Sequence, residues 1–240
     1  MLNVSGLTVI YGRVTAVSAA DLEASRGTVV GLIGPNGAGK TSFIDAVSGF
    51  VGSTGSIVFN GDQVGGLSAH RRALAGLVRT WQSIELFDDL TVFENLAAAA
   101  ARTTRWLGRS LEPSEALERV GLGDVLQRLP TELSNGDRKL VGLARALMSD
   151  PLVILADEPA AGLDTMESQA LGTRLRELVD SGLTVLLVDH DMNLVLNVCD
   201  AISVIDFGRI IANGTPNDIR NDDTVIAAYL GAADDEPTHE

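Results

Sequence analysis

The stretch Gly34-Pro35-Asn36-Gly37-Ala38-Gly39-Lys40-Thr41 matches G-x-x-x-x-G-K-[ST], and residues of these types at this spacing can hold a chain of phosphates. Glycines let the backbone wrap tightly enough for several N–H groups to point at one anion, and a helix beginning about Ser42 adds the positive end of its dipole. Lys40 supplies a point charge, and the Thr41 hydroxyl can ligate Mg2+. A second constellation is Val153-Ile154-Leu155-Ala156-Asp157-Glu158, an apolar run ending in two carboxylates. Successive strand residues point to opposite sides, so the two acids can take different jobs: Asp157 in a Mg2+ shell, Glu158 as general base for an attacking water. His190 follows another apolar run and could hydrogen-bond a terminal phosphate and orient that water. Gln82, after Arg79-Thr80-Trp81, is a candidate Mg2+ or water ligand. Taken singly, the acid pair, His190 and Gln82 also read as solvated turn or surface residues; their company with the loop favours chemistry.

These groups need a scaffold that brings distant loops to one edge. Residues 28–33 form a short apolar run rich in β-branched side chains, the pattern of a buried parallel strand, and residues 42–50 resume at helical spacing. Residues 152–156 and 184–188 are similar runs ending in acids, separated by a helical pattern over 166–179. Strands alternating with helices predict a parallel sheet covered on both faces, with ligand groups beyond the carboxyl ends of its strands. Ahead of it, Leu2, Val4, Leu7 and Val9, then Val14, Ala16 and Val17, alternate about a Gly12-Arg13 turn and predict antiparallel strands; residues 56–60 add another, closed by Gly61-Asp62. From about 85 to 147 the chain favours helix, with Pro113 and Pro130 as breakers, which reads as a helical subdomain inserted into the sheet. One last helix after Asn217 is expected to end near Leu230, followed by a frayed acidic tail over 232–240.

Composition excludes several classes. With 18 basic and 32 acidic residues the formal charge is −14, so the surface repels polyanions and lacks a duplex-binding footprint. The only lysines are Lys40 and Lys139. Hydrophobic residues make up 45% and aromatics 4%, a globular mixture of Ala, Val, Leu and Ile. The most apolar region, 183–211, is broken by Asp189, His190, Asp191, Asp200, Asp206 and Arg209, far short of the ~20 uninterrupted residues that span a membrane. No secretory signal is expected from the first residues. A lone Cys199 reads as a small buried residue in a reducing cytoplasm.

Leu133-Ser134-Asn135-Gly136-Asp137 lies shortly before the 153–158 run, and with it the chain resembles the ATP-binding cassette (ABC) ATPases. The likeness takes in Tyr11, the loop, Gln82, this signature, Asp157-Glu158, Ala161-Gly162-Leu163-Asp164 as a D-loop, and His190, in family order. It implies an α/β P-loop NTPase fold: a RecA-like core with a parallel sheet, an N-terminal antiparallel β subdomain and an inserted α-helical subdomain. The expected single domain divides into core (1–83 and 148–231), helical signature subdomain (84–147) and tail (232–240). The resemblance implies ATP and Mg2+ as ligands. By the same resemblance Tyr11 would stack on adenine; Gly34, Pro35, Asn36, Gly37, Ala38, Gly39, Lys40, Thr41 and Ser42 would hold phosphates; Thr41, Gln82 and Asp157 would serve Mg2+; and Glu158, His190 and Gln82 would act in hydrolysis. The resemblance implies that Ser134, Asn135, Gly136 and Asp137 contact the ATP held by a facing subunit, so that two nucleotides would sit between two chains and favour the closed dimer. The signature departs from Leu-Ser-Gly-Gly-Gln at Asn135, expected to tolerate a positive φ, and at Asp137, which sets a carboxylate near a polyanion. Lys139 is expected near the facing nucleotide.

Finer features, Arg79-Thr80-Trp81-Gln82, Leu86-Phe87, Leu90-Thr91-Val92 with Glu94-Asn95-Leu96, Glu158-Pro159-Ala160-Ala161-Gly162-Leu163, His190-Asp191-Met192, and Ala212-Asn213-Gly214-Thr215-Pro216 through Ala228-Tyr229-Leu230-Gly231, are similar to the ATPase subunits of bacterial branched-chain amino acid importers. That implies a second ABC ATPase as partner, a paralogue or another copy, bound with it under transmembrane permeases. It implies a cytoplasmic protein, peripheral on the inner face of the cell membrane and held there only through the permease, since an anionic leaflet repels an acidic chain. The chain is somewhat shorter than those relatives, around residues 102–114. A lipid or lipopolysaccharide exporter ATPase is the alternative, against which the Arg-Thr-Trp-Gln step weighs. A soluble ABC protein of DNA repair or translation would carry long coiled coils or two cassettes, which this chain lacks, and a P-loop kinase or GTPase would match the signature only by chance. No nucleic-acid partner is expected.

Overall fold

Two alternating runs meeting at Gly12 and Arg13 pair as antiparallel strands β1 (Leu2–Tyr11) and β2 (Val14–Ala24), with Tyr11 opposite Val14 across the turn. This computed structural model describes residues 1–81, 86–100 and 111–233. Next come β3 (Val29–Ile33), buried at every position, α1 (Lys40–Ser48), β4 (Thr54–Phe59), β5 (Asp62–Gln63), α2 (Ala69–Leu74) and β6 (Leu77–Thr80). The helical stretch holds α3 (Val92–Ala99), α4 (Pro113–Arg119), a 3-10 turn at Pro130–Glu132 and α5 (Asn135–Leu147). The chain then runs through β7 (Val153–Asp157), α6 (Thr165–Asp180), β8 (Thr184–Val188), α7 (Met192–Val198), β9 (Ala201–Asp206), β10 (Arg209–Gly214), α8 (Pro216–Arg220) and α9 (Asp223–Ala233).

Four strands make an antiparallel sheet in the order β2-β1-β4-β5, and six make a second in the order β10-β9-β3-β8-β7-β6. Within the second, β9, β3, β8, β7 and β6 are parallel, so their carboxyl ends share one edge; β10 runs antiparallel on the outside. Strand side chains alternate between two cores. Val30, Leu32, Leu155 and Leu186 face the antiparallel sheet and α1, whereas Val29, Ile33, Ile154, Val185 and Leu187 face a core that also holds Leu96, Leu117, Val141 and Leu147 of the helical subdomain. Burial on both faces explains the uninterrupted apolar runs.

The expected parallel sheet, antiparallel subdomain and helical insertion are all present. Three features differ from expectation. Strand β6 lies inside the step into the helical region, where Arg79 interrupts the apolar run of a four-residue edge strand. Strands β5, β9 and β10 and helices α2 and α7 are also additional. The last helix is two helices: the Asp222 carboxylate accepts the N–H groups of Thr224 and Val225, starting α9 afresh, and α9 continues to Ala233. Cys199 is buried as expected, and burial pushes its thiol up to about 12, which makes it inert. Among the described residues, no helix is long and apolar enough to cross a membrane.

Candidate functional site

The loop between β3 and α1 requires glycine at Gly34 and Gly39 because nothing larger fits there. A Cβ at Gly34 would lie 2.0 Å from the Ile205 carbonyl oxygen, and one at Gly39, where φ is +110°, would lie 2.5 Å from that of Ala16. The Gly208 N–H, at the turn between β9 and β10, donates to the Ala38 carbonyl at 2.8 Å and braces the loop. Gly39 is the N-cap of α1 and offers no side-chain hydrogen bond, so the first-turn N–H groups, those of Lys40, Thr41 and Ser42 among them, have no side-chain cap. Lys40 is 6% exposed, and its Nζ donates to the carbonyls of Gly34 at 2.6 Å and Pro35 at 3.0 Å. Burial lowers its pKa from the ordinary 10.5, while Glu158, Asp189 and Asp157 pull it back up. A buried cation beside uncapped helix N–H groups fits a polyphosphate.

The neighbouring strands deliver the other groups to the same edge. Asp157 ends β7, and its Oδ2 accepts from Arg79 Nη2 at 2.7 Å. Glu158 follows in the left-handed region at φ +44°, a conformation that costs roughly 1–3 kcal/mol in a non-glycine residue and collects at functional sites. Its N–H donates to the Val188 carbonyl at 2.7 Å, which ties the end of β7 to that of β8. Beyond β8, Asp189 is fully buried: Oδ1 accepts from the N–H groups of His190 and Asp191, and Oδ2 from that of Ala160. This one carboxylate therefore fixes the turn that presents His190 and the turn that follows Glu158. His190 is 55% exposed at its side chain, with Nδ1 3.6 Å from Glu158 Oε2. Asp189 was legible only as an acid ending an apolar run, yet an acid buried there must accept N–H groups.

Thr41 is exposed at the start of α1. Among the described residues no cluster of three or more His, Cys, Asp and Glu side chains could cage a metal ion. A hydroxyl and one carboxylate are the donor set expected for Mg2+ that arrives on phosphates, so the residues present fit such an ion. Tyr11 lies exposed at the end of β1. Gln82 lies outside the described residues.

The signature opens α5. Ser134 is its N-cap, with Oγ accepting from the Asp137 N–H at 3.0 Å, and Asp137 sits in the first turn. Asn135 is the first helical residue, not one with a positive φ; its Nδ2 donates to the Gly162 carbonyl at 3.0 Å, joining the signature to the D-loop. Helical backbone at that position leaves nothing for its tolerance of positive φ to do. Lys139, expected beside a facing nucleotide, points into its own chain, with Nζ 3.5 Å from the Glu158 carbonyl oxygen. Among the described residues, no hydrogen bond or ion pair joins 134–137 to 34–42, so the structure brings together the loop, Asp157, Glu158 and His190 but not the signature.

Comparison with known proteins places this geometry. The family described as ABC transporter matches residues 17–161, and that described as Branched-chain amino acid ATP-binding cassette transporter matches residues 209–235. The chain is 39% identical to the high-affinity branched-chain amino acid transport ATP-binding protein BraF of Pseudomonas aeruginosa, covering 97% of this chain and 98% of the relative. It is 36% identical to the lipopolysaccharide export system ATP-binding protein LptB of Haemophilus influenzae, over 96% and 97%. A solved ADP conformation of an ATP-binding cassette of an ABC transporter superposes with a TM-score of 0.86 at 28% identity, over 96% of this chain and 98% of that one.

Proposed function

The chain belongs to the ABC transporter ATP-binding family, a family of nucleotide-binding ATPases, and from that premise we propose that it drives an importer for branched-chain or other small amino acids. The observation that carries the enzymatic reading is the single edge onto which three parallel strands, β3, β7 and β8, deliver an uncapped helix with Lys40, the Asp157-Glu158 pair and His190. Lys40 and the first-turn N–H groups of α1 bind the β- and γ-phosphates, and Tyr11 offers its ring to the base. Thr41 and Asp157, with Gln82, hold Mg2+, which when bound neutralises charge on the phosphate oxygens. Glu158 accepts a proton from the attacking water, and His190, held through its backbone by Asp189, orients the terminal phosphate.

A second ABC ATPase, another copy or a paralogue, completes each site by presenting Ser134 through Asp137. The exposed position of Ser134, away from its own loop, supports this. Permease subunits hold the pair at the cytoplasmic face of the membrane; a chain of charge −14 gains nothing from anionic lipid. The C-terminal match at 209–235 and the relative's name favour import of branched-chain amino acids over lipopolysaccharide export.

The test of the chemistry is Glu158→Gln, expected to bind nucleotide normally and turn over at least about 10²-fold slower. Unchanged turnover removes Glu158 from its role. The test of direction is uptake of labelled leucine by cells lacking the chain: loss of uptake supports import, and intact uptake with an envelope-lipid defect supports the exporter reading.

A further inference from the structure

Arg79 touches both halves of the phosphate site without belonging to either. It lies on edge strand β6, in register with Leu155 of β7, and its side chain is 4% exposed. Nη1 donates to Asp45 Oδ1 of α1 at 2.5 Å, and Nη2 donates to Asp157 Oδ2 at 2.7 Å. The guanidinium carbon is 4.2 Å from the centre of the Trp81 ring and 5.8 Å from that of Phe50; the two rings meet edge-on, 4.9 Å apart. Its Nε is buried with no hydrogen-bond partner among the described residues. Nη1 also donates to Ser48 Oγ at 3.4 Å, so the placement serves α1, the Asp157 carboxylate and the rings rather than saturating the arginine's own donors.

The Asp157 side chain is only 9% exposed, so its charge needs a partner inside the protein. With Oδ2 engaged by Arg79, the other oxygen is the one that can serve a cation. Because the same guanidinium also grips Asp45, the end of β7 is pinned to the helix that begins with Lys40 and Thr41.

We propose that Arg79 is a positioning residue for the divalent-cation site, clamping Asp157 to α1 through Asp45 so that one Asp157 oxygen stays beside the Thr41 hydroxyl when nucleotide is bound. This rests on the reading of Asp157 as part of the Mg2+ shell. A lysine keeps the charge but cannot span two carboxylates with a planar fork. Outer partners of ligating carboxylates set metal affinity even though they never touch the metal.

The test titrates Mn2+ onto the ADP complex of the full chain, following free Mn2+ by electron paramagnetic resonance, with ADP affinity in EDTA measured beside it. Arg79→Lys is expected to weaken Mn2+ binding about 10-fold while ADP affinity in EDTA changes less than about two-fold. Asp45→Asn, which removes one anchor, is expected to weaken Mn2+ binding by a smaller factor, and it decides alone if Arg79→Lys does not fold. Asp157→Asn is the reference: unchanged Mn2+ affinity there overturns the reading of Asp157 and this inference with it. Weakened binding in Asp157→Asn with none in the Arg79 and Asp45 variants overturns this inference alone. So does an equal loss of ADP affinity with and without the cation, which marks a merely structural role.

Discussion

Two helix N-termini are proposed to meet phosphate in this molecule, and they are built in opposite ways. Helix α1 starts at a glycine with no side chain to cap it and puts Lys40 at its first position. Helix α5 is capped by the Ser134 hydroxyl and carries Asp137 in its first turn, so a hydroxyl and a carboxylate of the chain itself already answer its N–H groups and dipole. A helix that will hold an anion by itself leaves its N-terminus open. The capped end of α5 is stable without a ligand, and a phosphate that engages it must compete with Asp137. On the proposed reading, one chain suffices to bind nucleotide and two are needed to hydrolyse it.

The sharpest way to break the contrast is to damage each end. Lys40→Ala is expected to lower nucleotide affinity about 10²-fold, the loss of roughly 3 kcal/mol of charged hydrogen bonding. Ser134→Ala is expected to leave the affinity of a dilute single chain unchanged and to cut turnover about 10²-fold. Nucleotide titration beside steady-state hydrolysis separates them, and a matching loss of affinity in both variants contradicts the division. Backbone tolerance sharpens it further. Gly39→Ala, with φ at +110° and a carbonyl 2.5 Å from the new Cβ, should cost about 1–3 kcal/mol in thermal or denaturant unfolding. Gly136→Ala meets only the flexible Glu167 side chain, at 2.8 Å, and should change stability by less than about 1 kcal/mol.

A pH prediction follows from Lys40. Its folded pKa is lowered by burial, so the charged ammonium opposes folding below that value, and the cost disappears as pH rises past the unfolded 10.5. Phosphates favour the ammonium, so nucleotide affinity should fall as pH rises through the lowered value, with proton uptake on binding. Calorimetry in buffers of different ionisation heat, at a series of pH values below 10.5, should detect the uptake in the native chain and lose it in Lys40→Ala. The smallest effect concerns α5. Asp137→Gln should raise turnover a few-fold by removing a negative charge beside phosphate, yet lower stability by about 0.3–1 kcal/mol by weakening the helix terminus. Steady-state rates and melting curves should therefore move in opposite senses.

The open helix end was legible in the sequence and the closed one only in part, for physical reasons. The loop from Gly34 to Thr41 is dictated by backbone conformations that few residues adopt, so its residue types betray it. The strands β3, β7 and β8 are buried on both faces and read as continuous apolar runs. Strand β6 carries no clear strand pattern in the sequence because its Arg79 answers to Asp45 and Asp157, partners distant in sequence. For Asn135 the sequence shows only a local tolerance of positive φ, whereas its donation to the Gly162 carbonyl is a tertiary fact. Proximity of Lys139 to the signature in sequence likewise does not say which side of α5 it occupies, and its approach to the Glu158 carbonyl is a tertiary fact. Asp222 divides the final helix through a local cap that helical periodicity does not register.

The claim that binding belongs to one chain and hydrolysis to two is tested most directly by mixing two inactive variants, Lys40→Ala and Ser134→Ala, at equal concentration. In the mixed dimer, the loop of the Ser134→Ala chain faces the intact signature of the Lys40→Ala chain, so one whole site is reassembled. The account predicts hydrolysis in the mixture well above the sum of the separate variants, rising with protein concentration. A mixture no more active than that sum, at every concentration, contradicts it.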